Sequence, residues 1–205
     1  YLCEQNNKKL SKMEINEIQI IEPLFWDKNF KIPESPKLIE MNVLKPQFAC
    51  ELNSIWHSRL PKIHWSNVTR NRYYVCYGFS YMGVLIACAI WSSPVNQSFD
   101  IEKTLELRRM AISDLCPKNT ATNLIARMIN DIKTRFVLVD KLISYQDTEV
   151  HHGTIYKASN WFVDAETKFN SWSKSRTRQA DQSTADKIRW GYKIKRKSNH
   201  AALSF

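Results

Sequence analysis

Apolar and polar positions alternate along this chain in blocks that switch between a period near two and a period near 3.6. Arg72-Tyr-Tyr-Val-Cys-Tyr-Gly78 and Val84-Leu-Ile-Ala-Cys-Ala-Ile-Trp91 are two apolar runs joined by Phe79-Ser-Tyr-Met-Gly83, which predicts a β-hairpin. Leu105-Glu-Leu-Arg-Arg-Met-Ala-Ile112 predicts a third strand, with Leu105, Leu107, Arg109 and Ala111 on one face and Glu106, Arg108, Met110 and Ile112 on the other. A polar turn, Ser113 to Asn119, follows. Leu124, Ile125, Met128, Ile129 and Ile132 then recur with the helical period, with Asn119 as the N-cap. Lys141-Leu-Ile-Ser-Tyr145 is a buried strand. A Gly-Thr turn at Gly153 opens a helix barely two turns long that ends at Asn160, and Trp161 to Phe169 makes another strand.

The earlier part of the chain is less regular. Residues 1 to 22 carry a mixed pattern without an assignment. Pro23 to Pro46 is punctuated by prolines around one short strand, Leu38 to Val43. Phe48, Leu52, Ile55 and Trp56 mark a helix over Gln47 to His57 that Pro61 ends. Strands with a helix between the third and fourth, and a short helix after the fourth, give an α/β sandwich. Strands joined through a helix run parallel where they are neighbours.

Composition narrows the class. A chain of 205 residues with 43% hydrophobic content suits one domain with a real core. The longest apolar run, Val84 to Trp91, is strand length, well short of the ~18 residues that span a bilayer, so a cytoplasmic protein without a membrane partner is expected. Five scattered cysteines without a CxxC pair point to a reducing compartment and away from zinc. The neighbourhood of Cys116 offers no base that would make it a nucleophile. His151 and His152 point opposite ways on extended backbone and find no third ligand, so no metal is expected.

The net charge of +10 is concentrated near the C-terminus. From Ser171 to Lys197, Lys174, Arg176, Arg178, Lys187, Arg189, Lys193, Lys195, Arg196 and Lys197 outweigh Asp181 and Asp186, with Trp172, Trp190 and Tyr192 interleaved. Cations meet phosphates and rings stack on bases, so this stretch reads as a nucleic-acid contact. The three segments expected are 1–45 without assignment, 46–170 as the catalytic domain, and 171–205 as a basic aromatic tail.

The chemistry-bearing positions follow from this layout. The turn before Thr120 is an anion site by virtue of the unpaired N–H groups and dipole of a helix N-terminus, and Lys118 adds a full charge. Arg109, in mid-strand, needs a partner if its face is covered: Glu106, Asp147 or a bound phosphate or carboxylate. Asp147 ends the fourth strand at the edge where open α/β sheets bind ligands.

Strand, short tyrosine-bearing helix, Asn, aromatic, strand resembles the last unit of the GNAT acyltransferase fold, where the helix tyrosine sits beside an acyl-CoA thioester. That residue is Tyr156 here. The GNAT pyrophosphate loop Gln/Arg-x-x-Gly-x-Gly/Ala is absent, and Pro117-Lys-Asn-Thr-Ala-Thr122 stands in its place. An ordered set of further pieces resembles the Mom family of phage DNA-modification proteins over roughly residues 50 to 196. The pieces are His57-Ser-Arg-Leu-Pro61, Glu106-Leu-Arg-Arg-Met110, Pro117 to Arg127, Ser144-Tyr-Gln-Asp147, Gly153-Thr-Ile-Tyr-Lys-Ala-Ser-Asn-Trp161 and the basic end. Thr122 and Arg108 stand where the family often has Ser.

The resemblance implies a GNAT-like mixed sheet flanked by helices with a basic C-terminal extension. It also implies conversion of adenine N6 in double-stranded DNA to a carbamoylmethyl derivative that shields phage DNA from restriction, with acetyl-CoA as cofactor. In that product a CH2 carbon joins the base, so plain acyl transfer does not make it. Tyr156 would be the acid or positioning hydroxyl, Asp147 would orient or deprotonate the amine, and Arg109 would hold an anion. Lys118, Asn119, Thr120 and Thr122 would contact the cofactor, and Arg59 with the basic end would contact DNA. Two other readings stay open: a GNAT N-acyltransferase for a protein or small-molecule amine, and a non-catalytic nucleic-acid-binding module on a GNAT-like fold.

Overall fold

The computed structural model describes residues 31–56, 61–149, 152–167 and 186–196. After a 3-10 turn at Pro36–Leu38 come β1 (Glu40–Val43), α1 (Pro46–Trp56), α2 (Ser66–Thr69), β2 (Tyr74–Tyr81), β3 (Val84–Ser92) and β4 (Thr104–Ile112). Then follow α3 (Thr120–Arg135), β5 (Lys141–Asp147), α4 (Thr154–Ala158), β6 (Phe162–Thr167) and β7 (Lys187–Lys193). Seven strands form one sheet in the order β1-β2-β3-β4-β5-β7-β6. It is a mixed α/β sheet flanked by helices.

The sheet begins at Glu40, within the short strand expected over Leu38 to Val43, and reaches Lys193, inside the basic stretch read as a tail. In β7 the alternation of Ile188, Trp190 and Tyr192 with Lys187, Arg189 and Lys193 is the period of a strand, with the apolar set packed on the core. Cations interleaved with aromatics therefore mark an amphipathic strand here.

Helix α3 covers one face of the sheet. Leu124, Ile125, Met128 and Ile132 pack there with Trp91, Leu105, Leu107 and Leu142. Helix α1 covers the other, where Phe48, Cys50 and Leu52 meet Cys76, Cys88, Ile90 and Ala111. The cysteines in this second core behave as small apolar groups. Burial pushes the Cys50 thiol up to about 11 and the Cys76 thiol to about 12.

Among the described residues only β4 and β5 are parallel, and α3 is the crossover that this requires. Their pairing runs from Thr104↔Lys141 to Leu107↔Ser144 and stops. Beyond it β4 continues to Ile112 paired with β3 alone, and β5 continues to Asp147 paired with β7. The two strands thus part at their C-terminal ends and leave an opening in the middle of the sheet.

A bulge sits at the lip of this opening and corrects the expected alternation of the third strand. Ile90 faces Arg109 while Trp91 faces Leu107, so Arg108 is an extra residue. Leu105 and Leu107 lie on the α3 face with Met110 and Ile112, whereas Ala111 lies on the α1 face. Arg109, paired with Ile90 of the α1-side core, follows Ala111 to that face. One inserted residue has exchanged the faces of everything after it.

The C-terminal end of α3 is closed from a distance. The Arg196 guanidinium donates to the carbonyls of Lys133 at 2.7 Å and of Phe136 and Val139 at 2.8 Å. These are acceptors at or just past a helix end, where a cation is favoured. Arg196→Ala is expected to lower unfolding stability by about 1–2 kcal/mol, read as a fall in the urea midpoint. An unchanged midpoint would mean that the three contacts merely replace water.

Candidate active site at the opening between β4 and β5

The turn after β4 and the start of α3 wall a cavity of about 300 Å³ with α4 on its other side. Its lining includes Ile112, Cys116, Asn119, Thr120, Thr122 and Ile155. Asn119 holds the left-handed conformation, φ 66°, that the sharp entry to the helix demands; Asn tolerates this region better than most residues. The first turn of α3 carries no acidic side chain. The Thr120 and Asn123 N–H groups donate to the Pro117 and Asn119 carbonyls at 3.3 and 3.1 Å, which leaves the N–H groups of Ala121 and Thr122, with the helix dipole, to face an anion. The Thr120 hydroxyl already donates to the Pro117 carbonyl at 2.7 Å, which leaves Thr122 as the hydroxyl with a proton to offer. Lys118 is exposed in the same turn. Burial pushes the Cys116 thiol up to about 11, so at neutral pH it is not the thiolate that a nucleophile needs.

Tyr156 stands where α4 meets the opening. It is 8% exposed, its ring stacked on Trp190 at 5.4 Å and edge-on to Trp161 at 5.6 Å. Its hydroxyl lies 2.9 Å from the Ser144 hydroxyl, which in turn donates to the Leu107 carbonyl at 3.3 Å. Leu107 and Ser144 are the last paired residues of β4 and β5. The Tyr156 hydroxyl is therefore fixed at the vertex of the opening. Burial pushes it above the usual tyrosine range, with the Ser144 hydrogen bond pulling weakly the other way. It keeps its proton over the physiological range.

Trp190 is seated by the hydrogen bond from its Nε1 to Gln146 Oε1, 2.7 Å. Gly153, at φ +69°, allows this contact: a Cβ there would stand 2.5 Å from Gln146 Oε1 and 2.6 Å from Trp190 Cζ2. Gln146, Gly153 and Trp190 thus hold the ring that holds Tyr156.

The other face of the opening is polar. Glu106 is 7% exposed and its carboxylate accepts from the Val95 N–H at 3.1 Å, with a long ion pair to Arg108 at 3.7 Å. Burial raises its carboxyl above the usual range, opposed by Arg108. Arg108 donates to the Ser92 hydroxyl at 3.1 Å. Arg109 donates to the Arg108 carbonyl at 2.7 Å, and its buried Nε has no partner. Desolvation, then the adjacent Arg108 charge, lowers the proton affinity of Arg109. Across the opening Tyr145 contacts Arg189, which Asp164 holds at 2.6 Å and Phe99 covers at 4.9 Å from its ring centre.

Asp147 ends β5 on the same face as Tyr145, accepting from the Glu149 N–H at 3.0 Å in a turn. Tyr156 and Ser144 therefore occupy one face of the sheet while Arg109 and Asp147 occupy the other. The three residues expected to act together meet only through the opening.

The residues expected to contact DNA separate into groups. Trp190, 3% exposed, is a core residue beneath Tyr156, so it offers bases no surface. Arg196 caps α3. Arg189 is tied to Asp164. Lys187 lies opposite Asp147 in the strand register, and Lys193 and Lys195 are exposed. Arg59, Lys174, Arg176 and Arg178, with His151, lie outside the described residues. The sequence reading passed over the Ser144 partner of Tyr156 and the cavity walls Cys116 and Ile155. A Ser in the last pair before a strand gap leaves no mark in one sequence.

The sequence matches the model of the Mom protein family over residues 53–204. No curated protein matches it. Among solved structures it is similar to the ribosomal-protein-S18-alanine N-acetyltransferase of Escherichia coli, with TM-score 0.56, 12% identity, and coverage of 79% of this chain and 97% of that one. It is also similar to a protein of Salmonella typhimurium described as an acetyltransferase and solved with its cofactor acetyl-CoA, with TM-score 0.55, 12% identity, and coverage of 80% and 97%. An acetyltransferase of the GNAT family from Streptococcus pneumoniae gives TM-score 0.54 at 8% identity, with coverage of 77% and 99%. The fold is GNAT-like.

Proposed function

Because the chain belongs to the Mom protein family, we propose that it modifies the N6 amine of adenine in double-stranded DNA, giving a carbamoylmethyl-type derivative that protects phage DNA from restriction. The observation that carries this reading is the family match over residues 53–204, which spans every described residue of the opening between β4 and β5.

The residues present fit the phosphate-bearing part of an acyl-CoA, at the cavity of about 300 Å³ before α3. The Ala121 and Thr122 N–H groups and the Thr122 hydroxyl would hold its phosphates, with Lys118 adding charge from the turn. When bound, the cofactor would supply a two-carbon unit; the carbamoylmethyl product needs in addition a nitrogen donor for its amide and a two-electron oxidant for the bond from its CH2 carbon to N6. The chain's own contribution is a proton at the Tyr156 hydroxyl, held at the vertex by Ser144, on the cavity side. On the far side Asp147 orients the amine and accepts its proton, and Arg109 meets the substrate with a positive charge. An adenine amine inside a duplex is out of reach of a site set within a sheet, so the base is flipped before it reacts. The net charge of +10 favours association with the polyanion.

The test is mass spectrometry of nucleosides from plasmid DNA in cells that express the protein. A new adenine-derived nucleoside is expected. Unmodified DNA from well-expressed, folded protein that binds acetyl-CoA would overturn the reading in favour of an acyltransferase for another amine.

A further inference from the structure

The face of the opening turned away from the acyl cavity carries an aromatic ring that the roles assigned above do not use. Tyr145 is the first residue of β5 past the last β4–β5 pair, Leu107↔Ser144. Strand alternation puts it on the face opposite Ser144 and Tyr156. It is neither a core residue nor a fully exposed one. Its surroundings are set in advance. Arg189 contacts it from the next strand, where the two stand in register. That guanidinium is clamped by Asp164 at 2.6 Å and lies 4.9 Å from the Phe99 ring centre. On the strand across the opening, the bulge turns Arg109 to this same face, with a buried Nε that lacks an acceptor. Buried donors are nearly always paired, so an orphan beside an opening marks the place of an acceptor that arrives with the ligand.

Resting on the DNA reading above, we propose that Tyr145 is the wall on which the flipped base stacks, with the free Arg109 Nε as the donor to a ring-nitrogen acceptor of that base. A half-buried ring beside the entrance, backed by a fixed guanidinium, suits a flat heteroaromatic ligand. The base then enters from the face opposite the cofactor, and its amine meets the two-carbon unit at the vertex beside Ser144. Two tyrosines flank the reacting atoms, Tyr156 from the cavity side and Tyr145 from the DNA side.

The test compares the full chain with Tyr145→Phe and Tyr145→Leu by nucleoside mass spectrometry of plasmid DNA, beside acetyl-CoA binding by calorimetry and thermal melting. Tyr145→Phe is expected to retain at least half of the modification. Tyr145→Leu is expected to lose at least about tenfold, the size of one base–aromatic stack, with acetyl-CoA affinity and melting temperature unchanged. Wild-type modification in Tyr145→Leu would overturn the stacking role while leaving the DNA reading in place. Loss of acetyl-CoA binding or of melting temperature in Tyr145→Leu would overturn it in favour of a structural role. A wild-type protein that leaves plasmid DNA unmodified would sink the DNA reading and this inference together.

Discussion

Tyr156→Phe is expected to reduce the modification by at least about a hundredfold, the low end of what a positioned proton donor contributes, in a protein that stays folded. The substitution removes one oxygen and leaves the ring. The stack on Trp190 at 5.4 Å and the edge contact with Trp161 at 5.6 Å both persist. Ser144 keeps its bond to the Leu107 carbonyl, so no buried hydroxyl is stranded and stability should change by no more than about 1 kcal/mol. Activity and stability are thus separable at this position. The pH dependence adds a second reading. Burial lifts the Tyr156 hydroxyl above its ordinary range, so the protonated form prevails up to and beyond the pH at which free tyrosine ionises. A donor role predicts no alkaline decline in rate that traces to Tyr156 below about pH 10. A variant as active as the parent would leave Tyr156 with packing alone.

What the sequence disclosed and what it hid divide along a physical line. The hairpin β2–β3, the apolar face of α3 and the run β5, α4, β6 came from periodicity and turn residues, which are local. Tyr156 was legible because its segment is local too: a Gly that turns, a short helix, an Asn at φ 60° and a strand. Two things were not local. The bulge at Arg108 depends on how β3 pairs with β4, and one unpaired residue leaves no trace in the pattern, so Arg109 was placed on the face of Leu107 when it lies on the other. Strand β7 has the same difficulty. Lys187-Ile-Arg-Trp-Gly-Tyr-Lys193 obeys the period-two rule, but cations with interleaved aromatics also describe a surface for a polyanion, and composition alone does not choose between them. Insertion of β7 between β5 and β6 decides it for Trp190, which sits under Tyr156, and for Arg189, which is paired with Asp164. Partner choice, such as Ser144 with Tyr156 or Gln146 with Trp190, is set by the closed sheet.

The largest expected loss of stability follows from that closed arrangement. Gly153→Ala should cost about 2–5 kcal/mol, combining strain at a left-handed position with overpacking against a fixed ring. The backbone at φ +69° disfavours any side chain, and the new Cβ would lie 2.5 Å from Gln146 Oε1 and 2.6 Å from Trp190 Cζ2. Neither neighbour can yield cheaply. The amide oxygen accepts the 2.7 Å hydrogen bond from Trp190 Nε1, and the indole is sandwiched against Tyr156. Gly83 supplies the control. Its φ of +78° imposes a similar backbone penalty, but a Cβ there meets nothing within 4 Å. Gly83→Ala should therefore show the strain without the collision, about 1–2 kcal/mol. The gap between the two urea midpoints isolates the packing around Trp190. Equal midpoints would show that the indole moves aside at no cost, and then nothing would fix the ring that positions the Tyr156 hydroxyl. If the gap is present, Gly153→Ala should also lose modification at temperatures where it remains folded, because the indole must shift and Tyr156 with it.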